Sequence, residues 1–168
     1  MAGGAFPVFP SPIHRYYTRL YSADTHLYVH QHSNGIAVLG LACGHPARQT
    51  PVTACNFADN VSALVTSGKR KRGGQATAPG QTRICQLTCA DGRSFDVVAP
   101  FQGSIIEINA RVADNPALLS DRAETDGWIA VIMFKSAKAA ERMRSAMVDE
   151  DVYMRTSPPD VPVPLQTV

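Results

Sequence analysis

Alternating apolar and polar positions mark the middle of the chain and predict short β-strands joined by tight turns. Residues 27–32 (LYVHQH) and 36–41 (IAVLGL) both read as strands, and Asn34-Gly35 lies between them. Asn-Gly is a strong signal for a β-hairpin, because both residues tolerate the positive φ that a tight turn requires. The pattern therefore predicts one hairpin in this part of the chain.

The same signal occurs a second time. Residues 84–89 (ICQLTC) and 94–98 (SFDVV) are separated by a short polar segment that contains Asp91-Gly92. Asp and Gly are both favoured in turns, Gly because it adopts positive φ without steric cost. A second hairpin is therefore predicted, with Gly92 near its tip.

The remaining pattern predicts a mainly β core with a C-terminal helix. Residues 104–109 (SIIEIN) and 128–134 (WIAVIMF) are two further strand candidates that follow glycines. A helix is predicted over residues 136–148, because Ser136 is a suitable N-cap and apolar residues recur behind it at helical spacing. We expect that apolar stripe to pack on the core. Residues 157–164 (SPPDVPVP) predict an extended, polyproline-like tail.

The composition is typical of one packed soluble domain. The chain has 168 residues, of which 45% are hydrophobic and 18% are charged, and its formal net charge of +2 does not identify a partner. No run approaches the roughly 18 apolar residues of a membrane-spanning helix. Residues 1–12 also lack a basic region followed by an apolar stretch. We therefore expect neither membrane association nor secretion.

The metal-ligating residue types do not form a recognisable site. The four cysteines form no C-x-x-C pair, so we expect reduced thiols that are buried as small hydrophobic side chains. His30 and His32 would share one face of a strand, but the sequence places no third ligand beside them. No metal and no other cofactor is predicted.

The sequence also lacks a catalytic constellation. Its carboxylates are scattered, and no nucleophile–base pair or glycine-rich phosphate loop is present. We expect a protein that is not an enzyme.

A basic run is the strongest charged feature of the sequence. It consists of Lys69, Arg70, Lys71 and Arg72, and glycines flank it on both sides. Such a run suits an acidic protein surface, phosphates or an import receptor, although a solvated turn would have the same composition. A nucleic-acid adaptor is a weaker alternative, because no aromatic residue interleaves the run to stack on bases.

A second candidate interaction segment lies near the N-terminus. It contains Arg15, Tyr16, Tyr17, Arg19 and Tyr21, which are the residue types that anchor protein interfaces. The alternative interpretation is an N-terminal arm that covers an edge of the β-structure.

Several segments resemble the glycine-cleavage H-protein, a barrel-sandwich of the biotinyl/lipoyl type. They are residues 26–29 (HLYV), 98–109 (VAPFQGSIIEIN) and 126–129 (DGWI). In that family a lipoylated lysine lies on a hairpin tip, eleven residues before the glycine that corresponds to Gly103. Counting back places Gly92 there, so the resemblance implies the fold without the amine that carries the lipoyl group.

The chain is more similar to the Abitram (Simiate) family of H-protein-like proteins, which lack the lipoyl lysine. The resemblance is carried by residues 15–21 (RYYTRLY), 31–36 (QHSNGI), 67–73 (SGKRKRG) and 89–92 (CADG), and it spans residues 13–153. It implies a non-catalytic protein of cytoplasm and nucleus that is associated with actin binding and actin assembly. No actin-binding residue is carried over from the family.

The predicted organisation combines these observations. An N-terminal arm over residues 1–25 precedes an H-protein-like barrel-sandwich domain with its C-terminal helix over residues 26–154, and a Pro-rich tail covers residues 155–168. The predicted function is a protein–protein interaction module with actin as its partner. Three alternatives remain open at this point: a scaffold subunit of a larger assembly, a lipoyl-type carrier and a nucleic-acid adaptor.

Overall fold

Two antiparallel β-sheets form the framework of the described part of the chain, which is residues 12–61 and 75–156 of a computed structural model. The strands are β1 (Tyr17–Tyr21), β2 (Leu27–His32), β3 (Ile36–Leu41), β4 (Val52–Phe57), β5 (Gln75–Thr77), β6 (Arg83–Cys89), β7 (Ser94–Val98), β8 (Gly103–Ile108), β9 (Ala130–Phe134) and β10 (Val148–Asp149). The helices are α1 (Pro12–Tyr16), α2 (Ala110–Asp114), α3 (Leu118–Asp121), α4 (Ala137–Ala146) and α5 (Glu150–Thr156), with a 3-10 turn at Pro46–Arg48.

The larger sheet has seven strands in the order β10-β1-β2-β3-β9-β8-β5, and the smaller one has the order β4-β6-β7. Both predicted hairpins are confirmed. At the β2–β3 turn, Gly35 has a φ of 88°, and the side-chain oxygen of Asn34 accepts a hydrogen bond from the Ile36 N–H at 3.3 Å. Local turn chemistry therefore determines the register of this pair.

The hydrophobic core joins side chains of both sheets. One face of the larger sheet buries every second residue of its central strands, including Val29, Leu39 and Ile132. They belong to the same buried cluster as Ile84 and Leu87 of β6 in the smaller sheet. Because side chains alternate between the two faces of a strand, the opposite face of the larger sheet carries another set of side chains, among them His30, Val38 and Val131.

The cysteines behave as the sequence predicts. Cys55, Cys85 and Cys89 are buried within this core, Cys43 is half-buried, and all four are free thiols. They are small apolar packing residues in this fold.

The predicted C-terminal helix is confirmed, but it ends earlier than expected. The Ser136 hydroxyl accepts a hydrogen bond from the Ala139 N–H at 3.2 Å and caps α4, which stops at Ala146. Val148 then pairs with Tyr21 in β10, and α5 follows. Pairing with β1 replaces the last helical turn, since a β-branched valine suits an extended strand.

Part of the segment predicted as an N-terminal arm is a strand of the larger sheet. Tyr17–Tyr21 (β1) pairs with β2 along its whole length and with β10 on its other side. By this pairing the segment covers the edge of β2, which agrees with the alternative interpretation of an arm over an edge of the β-structure. Its side chains alternate between the core and the outer face, as Leu20 and Arg19 do.

No helix among the described residues is long and apolar enough to cross a membrane.

Candidate interaction surface

Gly92 lies at the tip of the β6–β7 hairpin, where the resemblance places the missing lysine. The Gly92 N–H donates to the Cys89 carbonyl at 3.0 Å, and the Cys89 N–H donates to the Arg93 carbonyl at 2.8 Å. Gly92 has a φ of 86°, and no heavy atom lies within 4 Å of a Cβ built on it. The tip is open, and its left-handed backbone favours glycine over lysine.

Asp91 and Arg93 hold this turn from either side of Gly92. The two Asp91 carboxylate oxygens accept hydrogen bonds from the Arg93 N–H at 3.0 Å and from Arg93 Nε at 2.6 Å. These contacts, the backbone one first, lower the pKa of Asp91. The hairpin tip is therefore built as a glycine turn and offers no amine for acylation.

A shallow groove of about 290 Å³ lies where α1 and β1 meet the end of β2 and helix α4. We call it the basic groove. Its lining residues are Arg15, Tyr16, Tyr17, Thr18, Gln31, His32, Ser33 and Arg144.

The basic groove combines positive charge with exposed aromatic surface. Arg15 and Arg144 are exposed, and no acidic side chain lines the groove. The Tyr16 side chain is 58% exposed, with the Arg15 Cζ atom 5.9 Å from its ring centroid. Tyr17 packs edge-on against His32 at a centroid distance of 5.1 Å. Guanidinium groups beside tyrosine rings are the chemistry that binds acidic protein surfaces.

Two of the predicted interaction residues have partners inside the fold instead. Arg19 Nη1 donates to Glu150 Oε1 at 2.7 Å, and Nη2 makes a second, shorter contact with the same carboxylate. Tyr21 is fully buried and stacks on Tyr153 with a centroid distance of 4.8 Å. Burial, with a smaller contribution from Glu124, raises the pKa of Tyr21. Arg19 and Tyr21 hold α5 against the larger sheet.

The basic run Lys69, Arg70, Lys71 and Arg72 lies outside the described residues, so its role stays a prediction.

In the described part of the chain, histidine side chains pack against aromatic rings or cap a helical turn. His45 Nδ1 accepts a hydrogen bond from the Ala47 N–H at 3.1 Å and caps the 3-10 turn. Burial lowers the pKa of His45 to about 4, with smaller contributions from His26 and Arg48, so this imidazole is neutral at pH 7. Within residues 12–61 and 75–156, no group of three or more His, Cys, Asp or Glu could hold a metal ion.

A second cavity, of about 240 Å³, was not predicted from the sequence. We call it the aromatic pocket. Its lining residues are Tyr17, His30, Val38, Glu124, Thr125, Trp128 and Val131. Trp128 is the only tryptophan of the chain, which is the one sequence signal that could have drawn attention to it.

The family model described as glycine cleavage H-protein matches residues 90–156, a segment that begins in the β6–β7 turn and includes Gly92. The crystal structure of a glycine cleavage system H protein from Mycobacterium marinum is similar to this chain with a TM-score of 0.60. The similarity covers 82% of this chain and 94% of that one, at 15% sequence identity. A likeness at this identity shows the fold, and it confirms the predicted H-protein-like barrel-sandwich.

Curated relatives with the name Protein Abitram are similar over most of their length. The protein of Gallus gallus is 34% identical, with 82% of this chain and 86% of the relative covered. For Danio rerio the identity is 34%, with 91% and 94% covered, and for Dictyostelium discoideum it is 33%, with 71% and 73% covered.

Proposed function

Because the chain belongs to the Abitram family of H-protein-like proteins, we propose that it is a non-catalytic protein–protein interaction module with actin as its partner. The observation that carries this proposal is the combination of a glycine turn at the carrier position with an exposed basic groove elsewhere on the fold. The first feature argues against a carrier role, and the second supplies a surface for a protein. Actin is proposed as the partner because of the family resemblance.

The basic groove supports an acidic partner surface. Arg15 and Arg144 each present a guanidinium group, which forms paired hydrogen bonds with a carboxylate more readily than an ammonium group does. Tyr16 adds an exposed ring with few rotatable bonds, so ordering it on binding costs little conformational entropy. We infer that the groove receives Asp or Glu side chains of the partner.

The lipoyl-carrier alternative requires an acylated amine at the hairpin tip. Neither Gly92 nor its neighbours Asp91 and Arg93 provide one. An intact mass of the purified protein equal to that of its sequence would support this argument, and an increase equal to a lipoyl group would overturn it.

The family resemblance is also our basis for proposing that the chain acts in the cytoplasm and the nucleus.

The test is a binding titration of the full-length chain with purified monomeric and filamentous actin at physiological salt. Anisotropy of the labelled chain reports the first interaction, and co-sedimentation reports the second. We expect saturable binding to at least one form. Absence of binding to both would overturn the actin assignment, and a stable native assembly without actin would then favour the scaffold alternative.

A further inference from the structure

The aromatic pocket lies on the face of the larger sheet that points away from the core. Its floor follows one row across the strands, since His30 pairs with Val38 and Val38 pairs with Val131. Tyr17 lines one part of it, and Glu124 and Trp128 belong to the segment between α3 and β9. We propose that this pocket binds an alkylammonium cation, namely the methylated lysine side chain of a protein partner.

Aromatic rings form a large part of the pocket lining. Tyr17, His30 and Trp128 line an open cavity of about 240 Å³ together with two valines. Tyrosine and tryptophan rings attract cations through their negative π faces, and the attraction strengthens where water is displaced. Methyl groups on the nitrogen also gain hydrophobic contact with such a lining, which a bare ammonium group does not.

The charge of the pocket also suits a cation. No Lys or Arg lines it, and Glu124 contributes a half-buried carboxylate. The Tyr21 hydroxyl donates to Glu124 at 3.4 Å, and within the described residues Glu124 makes no ion pair. Arg19 lies opposite His30 in the register, but its charge is paired with Glu150. The net charge around the pocket is therefore negative and favours a cation over a phosphate.

The loop that forms one wall of the pocket is held in place before any ligand binds. The buried Asn109 amide donates to the carbonyl oxygens of Asp126 and Trp128, both at 2.8 Å. At the other end of this segment, the Tyr28 hydroxyl donates to the Ala123 carbonyl. A pocket with both ends of its wall anchored loses little conformational entropy on binding.

The proposal does not depend on the identity of actin as the partner. Tyr17 lines both the aromatic pocket and the basic groove, so the two sites adjoin. A partner segment with a methylated lysine close to acidic residues would fill both. The pocket can nevertheless be tested with a small cation alone.

The single tryptophan provides the measurement. We would titrate the full-length chain with acetyl-trimethyl-lysine amide and, in parallel, with its neutral isostere in which carbon replaces the charged nitrogen, and follow Trp128 emission. We expect a saturable change with the cation and binding of the isostere that is weaker by roughly fivefold or more. Equal affinity for the two probes, or no saturable change with either, would overturn the proposal.

Two substitutions that each remove one negative charge distinguish an effect in the pocket from a general effect of surface charge. Glu124→Gln keeps the size of the side chain and its acceptor for Tyr21, and we expect it to weaken cation binding by roughly fivefold. Glu141→Gln, on the exposed side of α4, should leave the affinity unchanged. Equal affinities in the two variants would contradict the assignment.

If Glu124→Gln fails to fold, Trp128→Leu gives the same test, with binding followed by NMR of the probe's methyl signal. We expect this variant to lose binding, and unchanged binding would contradict the proposal.

Discussion

The ring of Tyr28 lies directly over the backbone of Gly40, its partner in the neighbouring strand. A Cβ atom built on Gly40 would stand only 2.3 Å from Tyr28 Cζ, although Gly40 has no unusual backbone conformation. The glycine therefore makes room for a ring that is fully buried and that stacks on His30 at a centroid distance of 4.2 Å. Because His30 lines the aromatic pocket, the packing of Tyr28 against Gly40 also positions a side chain of the pocket.

Gly40→Ala should destabilise the fold by about 1–3 kcal/mol, because the added methyl group displaces a packed ring. Urea unfolding gives the free energy directly. The matched experiment is the same substitution in a Tyr28→Val background, where the ring is gone and most of the cost of the alanine should disappear. An equal cost in both backgrounds would show that the contact with Tyr28 is not the cause.

The stability cost of a substitution at Gly92 should depend on the backbone conformation that the new residue tolerates and not on its size. No atom obstructs a side chain at this position, but its φ of 86° is unfavourable for β-branched residues. We expect Gly92→Val to cost about 1–2 kcal/mol and Gly92→Asn less than half of that, measured by chemical denaturation. Equal costs for the two variants would mean that the turn relaxes away from the left-handed conformation.

Stability should fall in mild acid through His45. Its folded-state pKa of about 4 lies below its ordinary value of 6.5, so the unfolded chain binds the proton more readily. The contribution of the neutral His45 side chain to the free energy of unfolding is complete above pH 6.5. By pH 4, about 3 kcal/mol of this free energy should be lost. Stability measured across this range should show a smaller loss in His45→Asn, whose side chain can still cap the 3-10 turn. An unchanged pH profile would assign the acid sensitivity to other groups.

The hydroxyl of Tyr153 should contribute measurably to stability. It accepts the Gly44 N–H at 3.2 Å and lies 2.8 Å from His26 Nδ1, and it thereby ties α5 to the loops beside β2 and β3. Tyr153→Phe should cost about 1–2 kcal/mol, since the half-buried amide of Gly44 loses its acceptor. The neighbouring Val152→Ala, at a position 39% exposed, should change thermal stability much less.

Local signals explain what could be predicted from the sequence. Asn34-Gly35 and Asp91-Gly92 specify turns by their own conformational preferences, and Ser136 caps α4 by a hydrogen bond three residues away. Strand β4 (Val52–Phe57) was not predicted, because a register shift between Val52 and Ala54 interrupts its alternation.

Tertiary pairing explains what could not be predicted. β1 pairs with β2 and with β10, and β10 pairs with β1, and the local sequence pattern predicts neither contact. The aromatic pocket depends on the same kind of information. Glu124 and Trp128 reach His30 only through the strand order β2-β3-β9 and the anchors of their own loop. The exposure of Tyr16 at the end of α1 and the burial of Tyr21 at the end of β1 likewise follow from tertiary packing and not from their similar sequence context.

Two arginines of α4 provide the most direct test of whether an acidic protein partner binds in the basic groove. Arg144 lines the groove, whereas Arg142 lies on the same helix outside it, and both are exposed. The measurement is the affinity of Arg144→Glu and Arg142→Glu for purified actin beside the unmodified chain. We expect Arg144→Glu to weaken binding by about tenfold or more, and Arg142→Glu to change it by less than about threefold. Equal affinities of the two variants would contradict the groove as the binding surface.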